Sequence, residues 1–137
     1  MPRPMTALLA AAVLGAALAG PVQAQPSKDL APTPLRREIL QTFDVPSGRY
    51  EARIGTSALG ANQSGGRQVH PGPEAGYVLR GEATMLVDGR PPLRLEAGQS
   101  YQLAPGVAHE LRSGPHGVTL LITWVLEQGK PFESPAD

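Results

Sequence analysis

Glycine and proline interrupt the middle of the chain so often that only short elements fit between them. They account for 16 and 15 of the 137 residues, and turn-forming groups recur about every eight to twelve residues between Gly60 and Gly117. The intervening runs are aliphatic, aromatic or β-branched and lack the spacing of an amphipathic helix. Asp88-Gly89, between two such runs, is typical of a two-residue hairpin turn. This pattern predicts an all-β sandwich or barrel.

The turns set the bounds of the expected strands. The first predicted strand could also be a short helical turn, and the last is the longest apolar run and is expected to be central. We predict a loop at 60–66, a tight connection at 81–82 and a second loop at 113–117. In chain order, the predicted strands are 36–45, 50–59, 75–80, 83–87, 93–95, 100–103, 109–112 and 118–126.

The N-terminus has the organisation of a secretory signal peptide. Arg3 precedes a continuous apolar run, Ala7 to Ala19, and small residues around Ala24 offer a cleavage site. The apolar run is too short to span a bilayer. We therefore predict a signal peptide at 1–24, a linker at 25–35, one folded domain at 36–127 and a C-terminal tail at 128–137. The mature protein is expected in the periplasm or outside the cell, with no membrane attachment.

Charge and cysteine content exclude several classes of function. The chain has 12 basic and 12 acidic side chains, and removal of the signal peptide takes away a single arginine. No basic stripe is present to neutralise phosphates, so we expect no nucleic-acid partner. The absence of cysteine excludes disulfides, thiolate catalysis and sulfur-ligated zinc sites. Any metal must be held by nitrogen and oxygen.

Two segments carry the residues that could hold such a metal. The first, Gln68 to Gly81, contains His70 and Glu74 on either side of a Pro-Gly-Pro turn, and the second, Gly98 to His109, ends on another histidine. Two imidazoles and one carboxylate form a facial set of ligands that leaves coordination positions open. This set suits iron(II) and, by similar preferences, manganese, zinc, nickel or copper.

The remaining polar and aromatic candidates are weaker. Gln68 shares a strand face with His70 and offers an amide oxygen as a possible fourth ligand; the alternative is an amide that is solvated or that contacts a ligand residue without touching the metal. His116 lies in a Ser-Gly-Pro-His-Gly loop, where we expect a solvated side chain. Tyr77, Tyr101 and Trp124 are expected to be packing residues.

The first segment resembles the first of the two cupin motifs. In that motif a histidine, any residue and a second histidine precede a glutamate, and a glycine follows the glutamate seven residues later. Here His70 stands at the second histidine, Glu74 at the glutamate and Gly81 at the glycine. Gln68 stands where the first histidine is expected. This departure leaves three ligands, or marks a lineage with weakened metal binding.

The second segment resembles the second cupin motif, which opens with glycine and continues with proline, any residue, glycine and a histidine three residues on. Gly98, Gly106 and His109 match, while Ala104 replaces the proline. The resemblance spans roughly residues 67–112. It implies a single jelly-roll β-barrel of two antiparallel sheets, with a divalent transition metal held between them by His70, Glu74 and His109.

The resemblance implies two kinds of function. One is a metal-dependent enzyme, an oxygenase or an isomerase or lyase, that acts on a small molecule. The other is a non-catalytic module that binds a small ligand or a metal ion in the periplasm. A third alternative is a mainly structural dimer, because small β-barrels often cover exposed edge strands with a second copy, and residues 36–45 could supply such a strand.

Overall fold

The computed structural model describes residues 35–46 and 48–136. The predicted signal peptide at 1–24 and all of the predicted linker except Leu35 lie outside these ranges. Within them no helix is long and apolar enough to cross a membrane. The described residues form the strands β1 (Arg36–Asp44), β2 (Tyr50–Leu59), β3 (Ser64–Val69), β4 (Glu74–Val87), β5 (Leu93–Glu96), β6 (Ser100–Leu103), β7 (His109–Glu127) and β8 (Ser134–Pro135).

Two layers arise because β4 and β7 are long enough to belong to both. The C-terminal half of β7 pairs with β2 and with the N-terminal half of β4, and β1 and β6 extend this layer. The N-terminal half of β7 pairs with β3 and with the C-terminal half of β4, and β8 and β5 extend the second layer. All pairs are antiparallel. The all-β, jelly-roll expectation is confirmed.

Two predicted breaks are bends within continuous strands. The connection expected at 81–82 is a register shift inside β4, with Gly81 at φ 78°. The loop expected at 113–117 is part of β7, where Gly117 has φ 73°. A side chain at Gly81 would meet the backbone of Gly117, so these two glycines let β4 and β7 cross closely from one layer to the other. The loop predicted at 60–66 is also shorter than expected, because β3 begins at Ser64.

The core lies between the two layers and is almost entirely aliphatic. Alternate residues of β4 and β7 point into it, as a half-buried strand requires. The buried hydrophobic cluster consists of Leu59, Val78, Ala83, Met85, Leu95, Tyr101, Leu103, Leu111, Val118, Leu120, Ile122, Trp124 and Leu126. Tyr77, which we expected to pack, lies on the outer face of β4 and is 46% exposed.

The two ends of the described chain fold onto the same end of the barrel. β1 pairs with β2 at the edge of one layer, and β8 pairs with β3 at the edge of the other. Residues 128–136, which fall in the predicted tail, therefore lie against the sheet. Here they contact residues of the first predicted metal-binding segment, through the pairing of Gln68 with Pro135 and the contact of His70 with Phe132.

Candidate metal centre

Two hydrogen bonds hold the carboxylate of Glu74 inside the barrel. Tyr101 Oη donates to Oε1 at 2.5 Å, and Trp124 Nε1 donates to Oε2 at 2.8 Å. The strand register explains both contacts, because Trp124 on β7 lies directly opposite Glu74, and Tyr101 on β6 lies opposite Gly76, two residues further along β4. Glu74 is only 5% exposed. The two bonds fix the carboxylate while each oxygen keeps a lone pair for a further partner.

His70 follows β3 and presents one ring nitrogen to Glu74. Its Nδ1 lies 2.8 Å from the carbonyl oxygen of Phe132, which requires Nδ1 to carry a proton. In the neutral ring Nε2 is then an acceptor. Nε2 lies 3.1 Å from Oε2 of Glu74 but is not aligned for a hydrogen bond, and it is buried without such a partner among the described residues. Two acceptors this close call for a proton on Nε2 or a metal ion between them.

His109, the first residue of β7, is oriented in the same way. Its Nδ1 lies 2.9 Å from the carbonyl oxygen of Val107, so Nε2 is again the nitrogen left to bind. A metal-ligating histidine is usually held by such a bond from its other nitrogen. The imidazoles of His70 and His109 have centroids 5.4 Å apart.

The three predicted ligands converge. One potential ligand atom from each of His70, Glu74 and His109 lies within 4.8 Å of the other two, and all three side chains are buried. The residues therefore fit the metal that the resemblance implies. The fit rests on the orphaned nitrogen of His70 and on a donor set of two imidazoles and one carboxylate.

The pKa values show that the centre favours a positive charge beside Glu74. Burial is the largest influence on His70 and lowers its pKa, but the carboxylate of Glu74, the carbonyl of Phe132 and the charge of Glu133 together outweigh it, so the pKa is raised. Burial likewise opposes ionisation of Glu74, yet His70 and Tyr101 lower its pKa. Burial lowers the pKa of His109. Glu74 is therefore held as a carboxylate, the form that binds a metal.

Gln68 lies beside these residues. It is opposite His109 in the pairing of β3 with β7, and it is half-buried. Together with Arg37, Glu74 and His109 it lines an internal cavity of about 10 Å³, which has room for about one water molecule. His116, by contrast, is exposed near Glu82 and remote from the centre, as predicted.

Four contributors were not predicted. Tyr101 and Trp124 were expected to pack, and their contacts with Glu74 depend on strand register that motif spacing does not reveal. Arg37 and Phe132 come from β1 and from the C-terminal residues, far from both motifs. Phe132 packs against His70 with centroids 5.2 Å apart. The Glu74–Trp124 pairing could have been found by aligning the apolar alternation of β4 and β7.

Comparisons with known proteins agree with this architecture. A family model described as "Cupin domain" matches residues 55–125. No curated protein is similar enough in sequence to count as a relative.

Solved structures resemble the fold at low sequence identity. An uncharacterised protein with a double-stranded β-helix domain from Klebsiella pneumoniae superposes with a TM-score of 0.61 and 17% identity, covering 84% of this chain and 97% of its own. A cupin superfamily protein from Desulfitobacterium hafniense has a TM-score of 0.57 and 15% identity, covering 72% and 84%. The DMSP lyase DddQ from Ruegeria pomeroyi has a TM-score of 0.59 and 21% identity, covering 75% of this chain and 52% of the lyase. At these identities the similarities establish the fold alone. With the family model matching more than half of its length, the chain belongs to the cupin family.

Proposed function

We propose that this cupin binds one divalent transition metal ion through His70, Glu74 and His109 and acts as a metal-dependent enzyme on a small molecule. The observation that carries the proposal is the nitrogen Nε2 of His70, buried without a hydrogen-bond partner among the described residues and 3.1 Å from the carboxylate of Glu74. A metal ion would satisfy both groups at once. Iron, manganese, zinc, nickel and copper all suit this donor set.

The contacts made by this chain's own residues orient the candidate metal ligands rather than transfer protons. A bound metal would supply either oxygen activation or Lewis-acid polarisation of a substrate oxygen. Tyr101 and Trp124 hold Glu74, and the carbonyls of Phe132 and Val107 hold the two imidazoles. Burial beside a carboxylate raises the pKa of Tyr101, so its hydroxyl stays protonated as a donor.

A non-catalytic metal-binding module is the second candidate function. The observation that favours it is the closed centre: the cavity measures about 10 Å³, and His70 and His109 are each 3% exposed. A site this closed can hold an ion without admitting a substrate. Turnover separates the two functions.

Metal analysis tests the proposal. Protein loaded with iron under anaerobic conditions and desalted should carry close to one metal ion per chain. His109→Ala should lose most of it, while His116→Ala, which removes an exposed histidine of the same strand, should retain it. A wild-type content far below one ion per chain would overturn the metal site. If oxygen uptake and product formation stay at background with phenols, sugars and keto acids, the result favours the non-catalytic metal-binding function.

Export and dimerisation belong to the same proposal. The signal peptide at 1–24 implies a periplasmic or secreted protein, testable by N-terminal sequencing of the exported chain.

A second copy would pair along β1, an edge strand in the described part of the chain, where Leu40 and Phe43 are 46% and 58% exposed. A two-fold axis near Leu40 would place Arg36 of each copy opposite Asp44 of the other. Gel filtration that reports a monomer at micromolar concentration would remove the dimer.

A further inference from the structure

The C-terminal strap, defined as residues 128–136, lies across the metal centre. Within it β8 pairs with β3, and the amide of Ala136 donates to the carbonyl of Arg67 at 3.1 Å. The ring of Phe132 stands edge-on to His70 and Trp124, with centroid distances of 5.2 and 5.1 Å. The strap therefore covers the side chains on which metal binding depends.

Arg37 brings a positive charge to the same place from β1. Its guanidinium carbon lies 4.5 Å from the centroid of Phe132 and 5.4 Å from that of Trp124. Arg37 also lines the internal cavity together with Glu74 and His109. A cation thus faces the centre at the point that Phe132 covers.

Glu133 satisfies this guanidinium only in part. Nη2 of Arg37 donates to Oε2 of Glu133 at 2.9 Å, whereas Nε is buried and has no hydrogen-bond partner among the described residues. A guanidinium can bind a carboxylate with two parallel bonds. The carboxylate of Glu133 is 39% exposed, and an ion pair this exposed contributes little to stability. Arg37 therefore keeps donor capacity that a better-placed carboxylate could use.

We propose that Arg37 binds the carboxylate group of a small-molecule ligand at this centre, and that Glu133 and Phe132 occupy the ligand's position when none is bound. The cavity holds about one water molecule, so a ligand enters only after Phe132 has moved. The side chains of Phe132 and Glu133 can turn aside while the backbone of the strap keeps its contacts with His70 and β3, because Glu133 is 39% exposed and most side chains of the strap are exposed. The strap is an internal competitor of the ligand.

This inference rests on the proposed function in one respect, since it names the ligand class and the access control of the same centre. The contact between Arg37 and a carboxylate needs no metal. Its test therefore uses protein freed of metal on a chelating resin, because a soluble chelator such as EDTA is itself a carboxylate. Failure of the test leaves the metal analysis above unaffected, and failure of that analysis leaves this test intact.

The fluorescence of Trp124, the single tryptophan of the chain, reports the position of the strap. The side chain of Trp124 is fully buried beneath Phe132, so acrylamide should quench its fluorescence weakly in the wild type. Phe132→Ala and Glu133→Gln should both increase quenching. Glu127→Gln, which removes another carboxylate near the same terminus, is the matched control. Quenching that is equal in all four proteins would show that the strap does not cover the centre as proposed.

Malonate titration then measures ligand binding. Binding is read from Trp124 fluorescence and from the rise in melting temperature, and potassium chloride at equal ionic strength is the control. If the strap is closed in nine molecules of ten, its release in Glu133→Gln or Phe132→Ala tightens malonate binding about tenfold. Arg37→Gln should weaken binding by at least about tenfold, as expected for a hydrogen-bonded charge. Arg36→Gln, the exposed neighbour on β1, should bind like the wild type.

Arg37→Lys keeps the positive charge but lacks the paired N–H donors of a guanidinium, and it serves as a second variant should Arg37→Gln fold poorly. It should bind malonate more weakly than the wild type. Malonate binding that is unchanged in the Arg37 variants would overturn the proposal that Arg37 binds the carboxylate. Equal malonate affinity in the wild type, Phe132→Ala and Glu133→Gln would overturn the proposal that the strap competes with the ligand. No response to malonate in any of these proteins would overturn the whole inference.

Discussion

The ring of Tyr101 fills the space that a side chain at Gly76 would need. A Cβ atom at position 76 would lie 2.6 Å from the hydroxyl oxygen of Tyr101 and closer still to its ring carbons. The two residues are directly opposite in the pairing of β4 with β6. Glycine at this position therefore lets the hydroxyl reach Glu74, two residues earlier on β4.

Gly76→Ala should displace Tyr101 and disturb the metal centre. The ring must move away from a tightly packed position, and overpacking of this kind destabilises a core by about 1–3 kcal/mol. We expect a lower melting temperature together with weaker metal binding, measured by differential scanning calorimetry and by isothermal titration with zinc. Ala75→Ser, an exposed change beside it, is the control. Wild-type metal affinity in Gly76→Ala would mean that Tyr101 does not orient Glu74.

Removing either donor to Glu74 should weaken metal binding more than it weakens the fold. Tyr101→Phe and Trp124→Phe each delete one hydrogen bond to the carboxylate. Loss of such an outer contact lowers metal affinity by about 10- to 100-fold. Zinc titration of the two variants checks this expectation. Tyr77→Phe removes an exposed hydroxyl of the same kind and should leave the affinity unchanged, while an equal loss in all three variants would count against the orienting role.

Local sequence predicts the three candidate ligands of this centre but not what surrounds them. His70, Glu74 and His109 fall at fixed motif spacings around turns, so their identity is encoded within short segments. The contacts of Tyr101 and Trp124 depend on how β4 pairs with β6 and β7, and register is a long-range property. Phe132 lies among prolines and charges, a composition typical of a tail, and only the pairing of β8 with β3 brings it to His70.

The predicted breaks in β4 and β7 have a related physical explanation. Gly81 and Gly117 were interpreted as turn residues because glycine tolerates positive φ. Both do have positive φ, 78° and 73°, but the strands continue through them as they bend from one layer to the other. Sequence reveals that the backbone is unusual at these positions. It does not reveal whether the chain reverses there or continues.

The carboxyl group of Asp88 should titrate below its ordinary range. Arg67 donates to both carboxylate oxygens, and this contact lowers the pKa of Asp88 from its usual 3.8. The folded state thus favours the ionised form, so the contribution to stability is present above pH 3.8 and is lost as the pH falls through the lower folded value. Titration of the side-chain carbon by NMR measures the shift directly.

Arg67→Gln should return the pKa of Asp88 towards 3.8. Because the pair lies at the surface, high salt should reduce the shift in the wild type as well. Arg94→Gln removes a cation that Asp88 does not contact in this structure and serves as the control. A pKa that is the same in Arg67→Gln and in the wild type would show that the ion pair does not persist in solution.

Gln68→His should create a third imidazole ligand and tighten metal binding. Gln68 lies opposite His109 and lines the same cavity as Glu74, so a histidine at this position points towards the centre. We expect at least tenfold higher affinity for zinc, equivalent to about 1.4 kcal/mol. Val69→His places an imidazole on the neighbouring residue, whose side chain points to the other face of β3, and should have no effect. Equal affinities in Gln68→His and Val69→His would place position 68 out of reach of the metal.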